Sequence, residues 1–295
     1  MSAPGSTRTA PTSLPPVAVH VPEGSLRRDL RAIKIVWQRD LIRFLRDRAR
    51  IVVSLLQPVL FLFVLGTGLS SLVPGGNGDV DLRTFIFPGA VSMAVMFTSF
   101  FMAASIVWDR EFGFLREMLV APVRRSAIVI GKCCGGATVA AMQGMIMLGL
   151  AGLVGVPYSP GLIVTLVAEL LLLAFTLTAF GVMVAARIRS FPALMALSQM
   201  LLMPLFFLSG ALFPLSGLPG WLQTLTHLNP LTYAIDPMRQ AVFAHVDGGA
   251  GATEVFATGV SWGGWQVPIV LELAIVAAMG LVMLGIAILQ FRHTE

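Results

Sequence analysis

Residues 84–132 read "TFIFPGAVSMAVMFTSFFMAASIVWDREFGFLREMLVAPVRRSAIVIGK". The first 24 of these, residues 84–107, carry no charge, which as a helix is enough to cross a hydrocarbon core of roughly 30 Å. Acids and bases then crowd together, and five basic residues lie between Arg110 and Lys132. Beyond Lys132 the chain turns apolar again. One span, a dense charged block and the start of another span make this a helical membrane protein, and the rest of the sequence is read outward from that unit.

The 295 residues are 56% hydrophobic and 12% charged, with a mean hydropathy of +0.85. A soluble domain carries about 25% charged residues and could not hide this much apolar surface. Six segments are long and apolar enough to span: 51–72, 84–107, 130–154, 162–186, 193–213 and 267–291. No alternating strand pattern competes with them, so the expected fold is an all-α integral membrane protein with six transmembrane helices. No internal repeat relates its halves, which counts against transporter folds built from two copies of one unit. Cys133 and Cys134 are adjacent at the start of an apolar run and read as small core residues.

Lysine and arginine set the orientation. Eighteen of the twenty fall in the N-terminal segment, in the loops after the second and fourth spans and at the C-terminal end; only Arg83 and Arg239 fall on the other side. Both termini are therefore expected in the cytoplasm of a cell, with the chain in the plasma membrane. Bases divided among membrane-proximal segments argue against a nucleic-acid partner. Residues 1–25 contain five prolines and no apolar stretch of signal-peptide length, and are expected to be a disordered cytoplasmic tail. Residues 26–50 then place Leu26, Leu30, Ile33, Trp37, Leu41, Phe44 and Leu45 at helical spacing, with Arg39, Arg43, Arg46 and Arg50 in another row. This is an amphipathic helix expected along the membrane surface, in contact with lipid headgroups. The membrane domain is expected over residues 51–292.

The charged block does more than a topogenic loop needs. Arg110, Glu111, Arg116 and Glu117 interleave with Phe112, Phe114, Leu115, Met118 and Leu119, and Pro122 ends the helix by disfavouring helix at Ala121. A short helix at about residues 109–120 with an apolar face and flanking charges has the form of a helix-in-groove docking element, or of a plain interfacial helix. At the other end, residues 218–227 and 231–242 read as paired short helices dipping into the outer leaflet, within about residues 218–243.

Two stretches carry a family resemblance. "DREFGFLREMLVAPVRRSAIVIGK" resembles the segment after the second span in membrane subunits of type-2 ABC exporters, through Glu111, Gly113, Glu117, Leu119, Pro122, Arg124, Gly131 and Lys132. "LSGALFPLSGLPGWLQTLTHLNPLTYAIDPMRQAVF", residues 208–243, resembles the same family's segment after the fifth span, with its Phe-Pro, an outer helix, Asn-Pro-Leu-Thr-Tyr and a following arginine. The drug-resistance branch, similar to the daunorubicin exporters, looks closest. The resemblance implies a bacterial permease without its own engine: a second permease copy, as homodimer or with a similar chain, and a separate ABC ATPase subunit that holds ATP and Mg. It implies that Arg110, Glu111, Gly113, Phe114, Arg116, Glu117, Met118, Leu119 and Pro122 form the coupling helix that meets the ATPase. It also places Trp221, Asn229, Pro230, Tyr233, Asp236 and Arg239 in the outer helices.

The residues exclude a self-contained ATPase. Gly131–Lys132 is followed by Cys133, and Ser126 stands where a phosphate loop needs its first glycine. His20, His227, His245 and His293 are scattered, so no cofactor or metal is expected in this chain. Glu169 and Glu272 are carboxylates within spans, where a charge at the helix centre costs about 2.5–3.5 kcal/mol. With Gln143 and Gln199 they mark a candidate substrate pathway. They also support the competing reading, a proton-coupled drug antiporter using Glu169 or Glu272; a nontransporting scaffold is the third. Gly136, Ala140 and Gly144 form a small-residue row expected to let helices approach closely.

Overall fold

The computed structural model describes residues 26–70, 82–113, 123–213, 215, 218–246, 259–262 and 264–293. The expected tail at residues 1–25 and residues 114–122 of the charged block lie outside them. Helix α1 (Leu26–Arg46) has Asp29 in its first turn and Arg43 and Arg46 in its last, each sign complementing the helix dipole. Asp47 separates it from α2 (Arg48–Leu60), whose N-terminus it caps by accepting from the Arg50 N–H at 3.0 Å. The boundary expected at Arg50 thus falls at Asp47. Pro58 lies inside α2; a π turn, Phe61–Leu65, follows it and leads into α3 (Gly66–Ser70). A proline removes one ladder bond, and a π turn is one way a helix absorbs the disturbance.

Helix α4 (Leu82–Glu111) has 30 residues and is the centre of the bundle: 89% of its most apolar window is buried. It packs on α5 (Arg125–Leu148) and α6 (Pro160–Arg187), which pack on each other. The small-residue row makes this possible. A Cβ on Gly136 would lie 2.6 Å from Thr178 Cγ2, and one on Gly144 would overlap Leu170. Helix α7 (Phe191–Phe207) lies against α4, and α10 (Ile269–His293) against α6. Only 17% of the apolar window is buried in α2 and in α10, which leaves their outer faces to lipid or to another chain.

Among the described residues five helices are long and apolar enough to span, and α7 is a shorter apolar sixth. Three expected boundaries move. The second span runs on past 107 to Glu111, so residues 109–111 of the expected coupling helix belong to α4. The third span ends at Leu148, not at 154: a 3-10 turn, Ala151–Val154, follows, and the Tyr158 hydroxyl ties it by donating to Gly149 O at 2.7 Å and accepting from Gly152 N at 2.9 Å. The fifth ends at Phe207, not at 213. Its last carbonyls are taken from elsewhere: Asn229 Nδ2 donates to Leu205 O at 2.6 Å and Thr232 Oγ1 to Leu208 O at 3.3 Å.

Those two donors open α9 (Pro230–Phe243), which follows the short helix α8 (Gly220–His227), both close to the bounds expected from the sequence. A two-residue hairpin, β1 (Ser261–Trp262) and β2 (Trp265–Gln266), lies beside them before α10. At the opposite end of the bundle, α1 runs along the first half of α5. It buries Asp29, Val36, Asp40 and Phe44, while Leu26, Leu30, Ile35 and Ile42 remain exposed. Gly131 permits that approach, since a Cβ there would lie 2.9 Å from Val36 Cβ.

Candidate functional site

The last turn of α4 is where the charged block begins. A helical turn points successive side chains about 100° apart, and four successive residues here reach different elements. Trp108 stacks on Phe191 at the start of α7 (ring centroids 4.9 Å apart), and the Arg43 guanidinium stands 5.4 Å over the Trp108 ring. Asp109 Oδ2 accepts from Lys132 Nζ of α5 at 2.7 Å and from Arg39 Nη2 of α1 at 3.0 Å. Arg110 donates to Ile188 O at 2.6 Å and Ala186 O at 3.0 Å, closing the C-terminal end of α6. Glu111 Oε1 accepts from the Phe191 N–H at 2.8 Å, occupying a free donor at the α7 N-terminus.

Lys132 and Asp40 side chains are only 3% exposed. Lys132 Nζ also donates to Ser105 Oγ at 2.9 Å and lies 3.4 Å from Asp40 Oδ1, which Arg39 approaches at the same distance. Two bases and two acids thus balance in a tetrad joining α1, α4 and α5, buried except at Arg39, whose side chain is 41% exposed. Nearer the start of α1, Asp29 holds Arg124, accepting from its backbone N–H at 3.3 Å and pairing with Nε at 3.4 Å.

Of the expected coupling residues, Arg110, Glu111 and Gly113 are described. The first two have their polar groups engaged within this chain. Gly113, at φ 80°, turns the chain out of α4 in a conformation that favours glycine. Phe114, Arg116, Glu117, Met118, Leu119 and Pro122 lie outside the described residues. The sequence reading treated Lys132 as an orienting base and gave Asp40 and Asp109 no role. A lone lysine at the mouth of an apolar run, with two acids at other helix ends, was the available signal.

A cavity of about 310 Å³ lies between α2, α4 and α7. Phe97, Phe100, Phe101, Met195 and Leu202 give it apolar walls; Gln57, Ser198 and Gln199 add polar points. The Thr98 hydroxyl on its wall is buried and has no hydrogen-bond partner among the described residues. The candidate pathway residues are not brought together. Gln199 lines this cavity, whereas Gln143 donates to Ser54 Oγ and, at 3.5 Å, to Ile51 O, tying α5 to α2.

Glu169 and Glu272 belong to the other end. Glu272 is wholly buried with its carboxyl group against that of Asp236 of α9, two acids close enough to share a hydrogen bond. Asp236 Oδ2 accepts from Gln240 at 2.7 Å and from Val260 N at 3.3 Å. Arg239 donates to Gly210 O and lies 4.1 Å over the Phe85 ring of α4. Asn229 caps α9, accepting from Leu231 N at 2.9 Å just ahead of Pro230, and the Tyr233 hydroxyl donates to His227 O at 3.0 Å and accepts from Trp262. Five of the six expected outer-helix residues thus brace this end, while Trp221 is 68% exposed on its rim.

Residues 31–243, from α1 through the charged end to the end of α9, match the family model described as ABC-2 type transporter. The chain belongs to the ABC-2 type transporter family. It is similar to Nodulation protein J of Rhizobium leguminosarum bv. trifolii, 31% identical over 71% of this chain and 80% of that one. It is also similar to the inner membrane transport permease YadH of Escherichia coli strain K12, at 27% identity over 70% of this chain and 81% of the relative. This ABC-2 chain is thus a multi-pass membrane permease subunit of an ABC transporter.

Proposed function

We propose that this ABC-2 permease is the membrane half of an ATP-driven exporter for apolar or amphipathic molecules, of drug, antibiotic or lipid-like type. It works as a homodimer or with a similar permease in the bacterial plasma membrane, with both termini cytoplasmic. Permeases of this family normally work with an ATPase subunit. In this reading that subunit holds ATP and Mg, and its closure pushes on residues 114–122. The observation that carries the proposal is the Asp109–Arg110–Glu111 turn. It stands immediately before that segment and holds α1 and α5, α6, and α7 by separate bonds. A push there reaches both helices that flank the cavity opposite α2. The substrate's apolar body sits among Phe97, Phe100 and Phe101 and leaves past α8 and α9.

The test is reconstitution of the permease with its ATPase chain in liposomes loaded with a fluorescent amphiphile. Vanadate-sensitive, ATP-dependent transport is expected. Transport that needs only a proton gradient, and is lost in Glu169→Gln/Glu272→Gln, would instead establish the antiporter reading, which the buried Glu272–Asp236 carboxyl pair favours.

A further inference from the structure

The exporter reading leaves the head group of the substrate open, and the inference here rests on that reading. The 310 Å³ cavity does not end in apolar wall at the charged end of the bundle. Arg50 and Phe101 line it, and the same two residues line a second, more open pocket of about 600 Å³ together with Arg43, Arg46, Asp47 and Trp108. A narrow space bordered by Asp40, Arg43, Phe44, Arg50, Phe101 and Ser105 shares walls with both. The hollow they outline thus has an aromatic interior and a mouth with three guanidinium groups against two carboxylates, Asp47 and Asp40, the second already met by Lys132 and Arg39.

The bases at this mouth are not spent on ion pairs. Arg39, Lys132 and Arg124 on neighbouring elements each meet an aspartate. Among the described residues Arg43, Arg46 and Arg50 have no acid oxygen at salt-bridge distance, although the Asp47 charge acts on Arg50. Arg43 rests over Trp108, and Arg50 stands 5.8 Å over the Phe101 ring. Asp47 is engaged as the cap of α2. The facing element contributes no compensating acid, because Asp109 and Glu111 point to other helices. Stacked guanidinium groups keep their N–H edges for a planar or tetrahedral anion, which arginine binds in bidentate fashion.

We infer that this hollow binds an amphiphile with an anionic head group, phosphate or carboxylate, its head at Arg43, Arg46 and Arg50 and its chain among Phe97, Phe100 and Phe101. A cationic amphiphile of the same length meets three like charges at the only basic mouth the described residues give this cavity. The occupant comes from the membrane leaflet at the charged end, where α1 and α2 meet at Asp47 and the mouth opens. The volume suits one chain: a ligand site typically runs from about 300 to 1,000 Å³. The unpartnered Thr98 hydroxyl offers a hydrogen bond to a polar group set part-way along it.

The experiment compares dodecyl phosphate with dodecyltrimethylammonium for binding to the purified full chain in phosphatidylcholine nanodiscs, below the micellar concentration. Dodecyl phosphate is expected to bind at least about tenfold more tightly, equivalent to about 1.4 kcal/mol, and the gap should shrink at high salt because the mouth is open to solvent. Arg43→Gln/Arg46→Gln/Arg50→Gln should abolish the preference; the corresponding triple Lys variant, which keeps the charges, should retain most of it and controls for folding. Equal binding of the two probes, or a preference that survives the triple Gln change, overturns the inference. Inorganic phosphate displacing dodecyl phosphate at similar concentration overturns it too, since that describes an anion site without a chain site. Head-group preference in a chain that shows no ATP-dependent transport sinks the exporter reading and leaves this site standing; transport without preference does the reverse.

Discussion

At the scale of single residues, Lys132 carries the clearest energetic consequence. It is the buried central cation of the tetrad, with its ammonium 2.7 Å from Asp109. Removing one member of such a pair strands the other in a low-dielectric site, at a cost of about 3–5 kcal/mol, whereas removing both is far milder. Lys132→Met should therefore lower the unfolding temperature of the purified protein sharply, and Lys132→Met/Asp109→Asn should recover much of the loss. A double variant as unstable as the single would show that the ion pair is not what Lys132 supplies. The sequence placed Lys132 at the entry to a span, and hydropathy gives a base there an orienting role. Its partners lie 23 and 92 positions away in sequence. Nothing in a single chain's pattern announces a pairing across that distance, so the tetrad was illegible while each of its members was plain.

Among elements, the turn joining α6 to α7 depends on the neighbouring helix α4 for its polar groups. Arg110 takes two α6 carbonyls and Glu111 takes the Phe191 N–H. Glu111→Gln keeps an acceptor in reach of that N–H, and Glu111→Lys removes it. In a chain assembled with its ATPase, Glu111→Gln should transport near the native rate. Glu111→Lys should lose most transport while ATPase co-purification persists, because the broken bond lies inside the permease. Loss of co-purification in Glu111→Lys would return Glu111 to the ATPase contact that family resemblance implies. Packing between α5 and its neighbours gives a second element-scale expectation: Gly144→Leu leaves no room against Leu170 and Val95, and should abolish the folded monodisperse species in size-exclusion chromatography. A normal elution profile would mean the helices separate there at little cost. The small-residue row was readable because spacing alone puts its members on one face. The early end of α7 was legible only in part: Gly210, at φ 75°, is a local stop just past the helix, but the donors to its last carbonyls, Asn229 and Thr232, lie more than twenty residues on.

For the molecule as a whole, alternating helices bring the bases counted along the chain to one end. Arg39, Arg110, Arg124, Arg125 and Lys132 all make their contacts there, and Arg125 reaches Phe291 O at the end of α10 at 3.3 Å. Arg239 is buried at the opposite end. Hydropathy and the positive-inside rule together made this arrangement legible, since each span needs only its own composition and the sign of its flanks. The proposed function requires, and the same rule predicts, that the charged end is cytoplasmic. In a Cys133→Ala/Cys134→Ala background, which removes the two native thiols, Trp221→Cys places one thiol on the exposed face of α8, and Ser190→Cys places one in the exposed α6–α7 turn. A membrane-impermeant maleimide added to intact cells should label Trp221→Cys and leave Ser190→Cys untouched until the cells are lysed. The reverse pattern would put the Asp109–Glu111 turn outside the cell, beyond reach of any cytoplasmic ATPase. The exporter would then fail at its first requirement, while the fold and its tetrad would stand unchanged.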